Sequence, residues 1–394
     1  MRHIEIRELA AKTGLAVVAV LFALVIFEVA VRWLHLEPDR FWEPDPILGV
    51  RLIPGHQGWW TQEAREFVVP VQINGRGLRD AERNYAKPPG VFRLLILGDS
   101  MVEAMQVPLE ATFARLLEEN LNAGDAAPRV EVVSAGVSGY GTANQLLYLE
   151  DEGKRYEPDL VMLAFYLGND VKNNSPTLEE TLRPVYAADG TLERVAGKTP
   201  QRRPTGWSGL LARSVAYRYV RRTLLTGLLQ SKARRVVPIR DGIPVDYGVY
   251  APSLTPEWQD AWTLTERLLT QLKQAVAAKG ARLMVAVLCS SYQIYSQSWQ
   301  ETMTAYPHMR GRSWDLDGPD RRILAWCAEH NVPCVTLAPE FRAAAAQNGT
   351  PLHFRHDRHW TVAGHRLAAS VVTSFLDQHQ LVPVELRTAR KYDD

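Results

Sequence analysis

Two kinds of apolar pattern divide the chain. Near its start, Gly14 to Phe27 is apolar without a break, and apolar positions resume at Ala30, Val31, Trp33 and Leu34. From Val91 onward the apolar positions come instead in short runs separated by amphipathic stretches. The runs at 93–97, 130–133, 159–166, 282–288 and 333–337 predict strands. The stretches at about 110–122, 142–154, 260–279, 319–330 and 362–378 predict helices. Strand and helix in alternation imply right-handed βαβ units and a parallel sheet with helices on both faces. The runs are apolar throughout rather than at every second position, as strands buried on both faces require.

The first apolar run belongs to a different environment. Its fourteen residues match the apolar region of a secretory signal peptide. Extended to Leu34 it approaches the about 20 residues of a spanning helix. No small-x-small cleavage site follows, so residues 1–35 read as an uncleaved signal-anchor, with a buried core helix as the alternative. Arg2, Arg7 and Lys12 precede the run and favour a cytoplasmic N-terminus, although Glu5 and Glu8 are mixed in and Arg32 and Arg40 follow. The body would then lie outside the cytoplasm, in the periplasm of a Gram-negative bacterium.

Between the anchor and the alternating region, 36–90 is rich in Pro, Gly and Trp and reads as a β-rich lead-in. Phe67 to Ile73 predicts a strand that Pro70 confines to an edge, and Asn74-Gly75 and Gly77 mark turns. Residues 91–380 form the main domain, interrupted by an insert at about 174–258; 381–394 read as a polar tail. The insert holds a hairpin signal at Ala188-Asp189-Gly190 and a basic helical segment from Gly209 to Arg235. There Arg213, Arg218, Arg221, Arg222, Lys232, Arg234 and Arg235 sit among leucines. Such a segment is a solvated face, or a helix on a membrane surface or against a membrane partner.

Composition narrows the classes further. A length of 394 residues allows two or three domains, and 46% apolar with 23% charged residues is ordinary for a globular protein. A net charge of +1 gives no case for a nucleic-acid partner. Cys289, Cys327 and Cys334 are an odd number without metal spacing; Cys327 and Cys334 could bridge, or all three could be buried thiols. No cofactor is called for.

The chemistry sits where the runs end. Leu94-Leu95-Ile96-Leu97 is followed by Gly98-Asp99-Ser100, which puts a hydroxyl at the carboxyl edge of a sheet, with the next helical pattern about ten residues on. After the second run comes Val137-Ser138-Gly139-Tyr140-Gly141, whose glycines free backbone amides to face a ligand. Its spacing is not that of a dinucleotide fingerprint. After the third comes Gly168-Asn169-Asp170, where an Asn amide can donate to an oxyanion. After the fifth comes His356-Asp357-Arg358-His359-Trp360. On extended backbone Asp357 and His359 share a face, so the Asp can orient the imidazole toward a serine. His353, His356 and His365 are rival bases. Zinc ligation by His353, His356, Asp357 and His359 is not expected, because no helical His-x-x-x-His frames it. Nucleophile, oxyanion donors and oriented base are the set that acyl transfer needs.

These four segments resemble the four blocks of the SGNH (GDSL-type) hydrolases, in the family's order, over about residues 91–378. The resemblance implies a flavodoxin-like three-layer sandwich with a five-stranded parallel sheet. It implies Ser100 as nucleophile, His359 as base oriented by Asp357, and an oxyanion hole of the Ser100 amide, the Gly139 amide and Asn169, with Gly98, Asp99 and Asp170 in support. The last block departs from the family's usual Asp-x-x-His: it is one residue shorter and similar to the SGNH-like proteins of bacterial polysaccharide O-acetylation. Implied in turn is a serine esterase acting on small acyl esters of carbohydrate outside the cytoplasm. Its alternatives are an O-acetyltransferase onto polysaccharide, a non-catalytic partner of a membrane acyltransferase, and a phospholipid or lipid-A-type esterase.

Overall fold

The computed structural model describes residues 2–62, 64–123, 130–179, 185–186, 192–193, 206–229 and 239–383. The chain divides into two compact units: one of Met1–Asp39, Trp59–Val68 and Gln201–Val236, the other of Arg40–Gly58, Val69–Pro200 and Val237–Asp394.

The first unit is built on helix α1 (Arg2–Trp33). Within it Ala11–Trp33 is long and apolar enough to cross a membrane. Its apolar side chains up to Val29 face outward, with Leu15 72% and Phe22 66% exposed, which is the reverse of a core helix. Two further helices, Gly206–Arg213 and Val215–Leu229, carry the described part of the basic segment. The Glu28 carboxylate of α1 caps the second: it accepts from Ser214 Oγ (2.7 Å) and from the amides of Val215 (3.0 Å) and Ala216 (2.8 Å). These are amides that a helix start leaves without internal partners. Arg222 donates to Leu36 O at 2.8 Å and pairs with Glu37 at 2.9 Å, so this helix is not a wholly solvated face. Lys232, Arg234 and Arg235 lie outside the described residues.

The second unit holds the sheet. Its strands are β1 (Phe92–Gly98), β2 (Val130–Gly136), β3 (Leu160–Tyr166), β4 (Arg282–Leu288) and β5 (Cys334–Thr336). They are parallel, in the spatial order β2-β1-β3-β4-β5. That is the flavodoxin-like doubly wound order, with its switch point beside β1. Every residue of β1 is buried. Leu94 and Ile96 face a cluster with Phe113, Leu117 and Leu121 of α3 (Phe113–Leu121), and with Ala368, Val372 and Leu376 of α6 (Val362–Gln378). These helical positions recur at turn spacing and so form one stripe. Leu95, one residue along, points to the other face, against Gly153 just past α4 (Thr142–Asp151). The long helix α5 (Pro256–Ala277) packs against α4 and β4.

Two elements depart from the reading of the chain. A helical turn, α2 (Ser100–Glu103), begins at Ser100 itself rather than ten residues on, because the Asp99 carboxylate caps it, accepting the Met101 amide at 2.9 Å. The Asp357–His359 segment is not extended: Arg358 sits at φ 72° and its amide bonds back to Phe354 O at 3.1 Å, closing a tight turn.

In the lead-in, Trp42–Asp45 and Gly49–Leu52 form an antiparallel hairpin. The hairpin braces the loop after β2: Tyr140 donates its hydroxyl to Val50 O (2.8 Å), and Asn144 its amide to Leu48 O (2.9 Å). Val68–Gln72 is a strand in which Pro70 is exposed. Val185–Tyr186 and Leu192–Glu193 pair antiparallel, while the turn expected at 188–190 is outside the described residues. So is 384–394 of the tail, whose first residues, Leu381 and Val382, are buried. All three cysteines are free.

Candidate active site

The carboxyl ends of β1 and β2 stop side by side at Gly98 and Gly136. Both positions need the absence of a side chain. A Cβ on Gly98 would stand 2.3 Å from Val102 Cγ2, and one on Gly136 would stand 2.4 Å from the Glu103 backbone nitrogen. Helix α2 thus rests directly on the strand ends, and Ser100, its first residue, is lifted to the sheet edge.

The turn at Phe354–His359 brings an imidazole to that hydroxyl. His359 Nε2 lies 2.8 Å from Ser100 Oγ, and His359 Nδ1 lies 2.6 Å from Asp357 Oδ1. The same Asp357 oxygen accepts the His359 backbone amide at 3.3 Å. With Asp357 ionised the ring proton sits on Nδ1, which leaves Nε2 to accept from the serine. Burial pulls the His359 pKa down. The hydrogen bond and charge of Asp357, with the charges of Asp99 and Glu103, outweigh that and hold it above the ordinary 6.5.

The rival histidines behave differently. Burial draws His353 down to about 4 and His365 down to about 3, so both are neutral. His353 Nε2 lies 3.4 Å from Cys289 O, and His365 Nδ1 accepts the Phe113 amide at 3.2 Å; both are tied into the core. His356 is exposed.

The expected oxyanion donors are fixed by their neighbours. Gly139 adopts φ 81°, a left-handed conformation that favours glycine, and its carbonyl accepts Asn173 Nδ2 at 3.0 Å. Asn169 ends the segment after β3, and its side chain lies near enough to the buried Asp99 carboxylate to favour the charged form. An Asn amide offers two N–H groups to an acceptor. Asp99 is wholly buried, and desolvation raises its pKa against the Met101 amide, the charge of His359 and Asn169. Asp170 serves the backbone, accepting the Tyr166 amide at 3.0 Å where β3 ends.

Reading the sequence missed a second carboxylate. Glu103 is 1% exposed and accepts Trp42 Nε1 at 2.8 Å and the Ser138 hydroxyl. It thereby ties the lead-in hairpin and the Gly139 loop to α2. Desolvation raises its pKa to about 7 despite Ser138, Trp42 and Arg79. Arg79, also buried, closes the other end of α2 by donating to the carbonyls of Glu103 (3.0 Å), Ala104 and Val107. Neither residue carries a motif that separates it from an ordinary surface charge. Only the position of Glu103 three residues past Ser100, and of Arg79 in a Pro- and Gly-rich stretch, could have drawn notice.

The family model of the GDSL-like lipase/acylhydrolases matches residues 96–367. Among solved structures the chain is similar to an acetyl xylan esterase, AlAXEase, at 13% identity, TM-score 0.40 and coverage of 72% of this chain and 98% of that one. It is similar to a catalytic mutant of Axe2, an acetylxylan esterase from Geobacillus stearothermophilus, at 15% identity, TM-score 0.39 and coverage of 74% and 96%. It is also similar to the lipase/acylhydrolase from Enterococcus faecalis, at 14% identity, TM-score 0.37 and coverage of 73% and 97%. No curated protein matches.

Proposed function

The chain belongs to the GDSL-like lipase/acylhydrolase family, and from that premise we propose that it hydrolyses small acyl esters of carbohydrate outside the cytoplasm, through an acyl-Ser100 intermediate. The observation that carries the reading is the continuous relay of Ser100 Oγ, His359 and Asp357, with links of 2.8 and 2.6 Å. Ser100 Oγ attacks the ester carbonyl carbon while His359 Nε2 takes its proton. The oxyanion so formed is met by the Ser100 and Gly139 amides and the side-chain amide of Asn169. Collapse breaks the bond to the alcohol, which leaves with the proton held by His359. Water then gives a proton to His359 as it attacks the acyl carbon, and collapse breaks the bond to Ser100 Oγ, which takes the proton back from His359 as the acid leaves.

The acyl and carbohydrate assignment rests on the Asp357-Arg358-His359-Trp360 block and its likeness to polysaccharide O-acetylation proteins. Location rests on the apolar helix Ala11–Trp33, with Arg2 and Arg7 ahead of it and Lys12 in its first turn. That basic flank supports the reading of a bacterial inner-membrane helix with the body in the periplasm. The test is turnover of an aryl acetate by the detergent-solubilised full chain, with and without an oligosaccharide acceptor, for wild type, Ser100→Ala and His359→Ala. Free acetate from wild type, lost in both variants, supports the reading. Acetate found only on the sugar would make the protein a transferase, and a fluorophosphonate probe that labels Ser100→Ala as well as wild type would refute the nucleophile.

A further inference from the structure

Arg358 stands between the two acid–base residues of the relay and has no role in it. Its backbone is in the left-handed region, where an unbranched charged residue is seldom found, held there by the bond to Phe354 O. The guanidinium carbon lies 4.6 Å from the ring centre of Tyr292, in the short helix Ser291–Ile294 that follows β4. Tyr292 is itself fixed by a 2.9 Å hydroxyl–hydroxyl contact with Tyr247, and both rings abut Trp299. The Arg358 side chain forms no hydrogen bond or ion pair with any described residue, and its Nη1 is buried without a partner. Nearby acids are engaged elsewhere: Asp246 with Lys172 at 2.6 Å, Glu301 with Arg355 at 3.6 Å, Asp357 with His359.

An aromatic face orients a guanidinium without using its N–H groups. Partial burial strips its water, and an unpaired buried donor costs free energy until an acceptor arrives. The planar fork matches a pair of oxygens on a carboxylate or phosphate, which a point cation does not. We propose that Arg358, seated on Tyr292, is an anion-binding subsite beside the relay, and that the preferred substrates are esters of acidic carbohydrates bearing a carboxylate or a phosphate. The subsite deepens the esterase reading and rests on it for the identity of the substrate.

The test compares kcat/KM of the full chain on the acetyl esters of methyl xyloside, methyl glucuronoside and a sugar phosphate. Wild type favours one or both acidic esters. Arg358→Gln lowers the acidic-to-neutral ratio by about tenfold or more through KM, and Arg358→Lys restores only part, as the loss of a two-point contact predicts. Which acidic ester responds distinguishes carboxylate from phosphate. A ratio unchanged within twofold overturns the subsite while leaving the esterase reading intact. If no ester is turned over, calorimetric titration of the Ser100→Ala chain with glucuronate and with inorganic phosphate decides. Saturable binding that Arg358→Gln abolishes supports the subsite, and binding absent or indifferent to Arg358 overturns it.

Discussion

Replacing Gly136 with Ala tests whether the seating of α2 on the strand ends sets the geometry of the site. The new Cβ would lie 2.4 Å from the Glu103 nitrogen and 2.7 Å from the Val102 carbonyl carbon. Both are backbone atoms, so no side-chain rotation relieves the contact. Ordinary contact begins near 3.4 Å, so α2 and the end of β2 must separate by about 1 Å. Ser100 rides on α2, and the Gly139 amide follows directly from β2. Ser100 and the Gly139 amide therefore move apart by that amount. A misplacement of about 1 Å costs on the order of 10²-fold in rate. The overpacking itself costs about 1–3 kcal/mol of stability. Gly136→Ala should lower kcat for an aryl acetate about a hundredfold and slow fluorophosphonate labelling in parallel, with a melting temperature lower by a few degrees. Activity within threefold of wild type and an unchanged melt would refute the argument, since the clash would then have been absorbed without moving α2.

Three further outcomes follow from the same geometry. In Asp357→Asn the hydrogen bond and charge that do most to raise His359 are lost while its burial remains, so its pKa falls. The base must be neutral, so the acidic limb of kcat/KM should lie above pH 6.5 in wild type and shift downward in the variant, with kcat lower by about 10²–10⁴-fold; an unmoved limb refutes the assignment. Asn169→Ala removes the proposed oxyanion donor and should lower kcat by about 10²–10³-fold with KM little changed, measured on the same ester. Glu103 is raised from 4.5 to about 7 by burial, so the folded state binds its proton more tightly than the unfolded one. Its contribution to stability is therefore full below about pH 4.5 and is lost as pH rises to about 7. Glu103→Gln should abolish that slope, worth about 3 kcal/mol, in denaturation measured at pH 5 and pH 8.

The sheet was legible because strands buried on both faces must be apolar throughout, and five such runs alternate with amphipathic helices. The edge on which the motifs lie followed from the same alternation, since parallel strands all end on one side. That is why Ser100, the glycine loop after the second strand, Asn169 and a histidine-rich last segment could be grouped as one candidate site from the residues. Local backbone was less legible. A cap at Asp99 turns Ser100 into the start of a helix, and a left-handed Arg358 replaces the expected extended pair, because each conformation depends on bonds to residues outside a strand or helix period.

The sequence by itself determined the residue types and their order along one sheet edge, because periodicity and chain direction are local properties. Only the tertiary structure decided which histidine meets the serine, since His353, His356, His359 and His365 are alike in composition and differ in burial and partners. It alone revealed that Glu103 and Arg79 clamp α2 from beneath, and that Arg358 is left on a tyrosine with its N–H groups unspent. These depend on contacts between positions far apart in the chain, and on what each buried charge finds when it arrives.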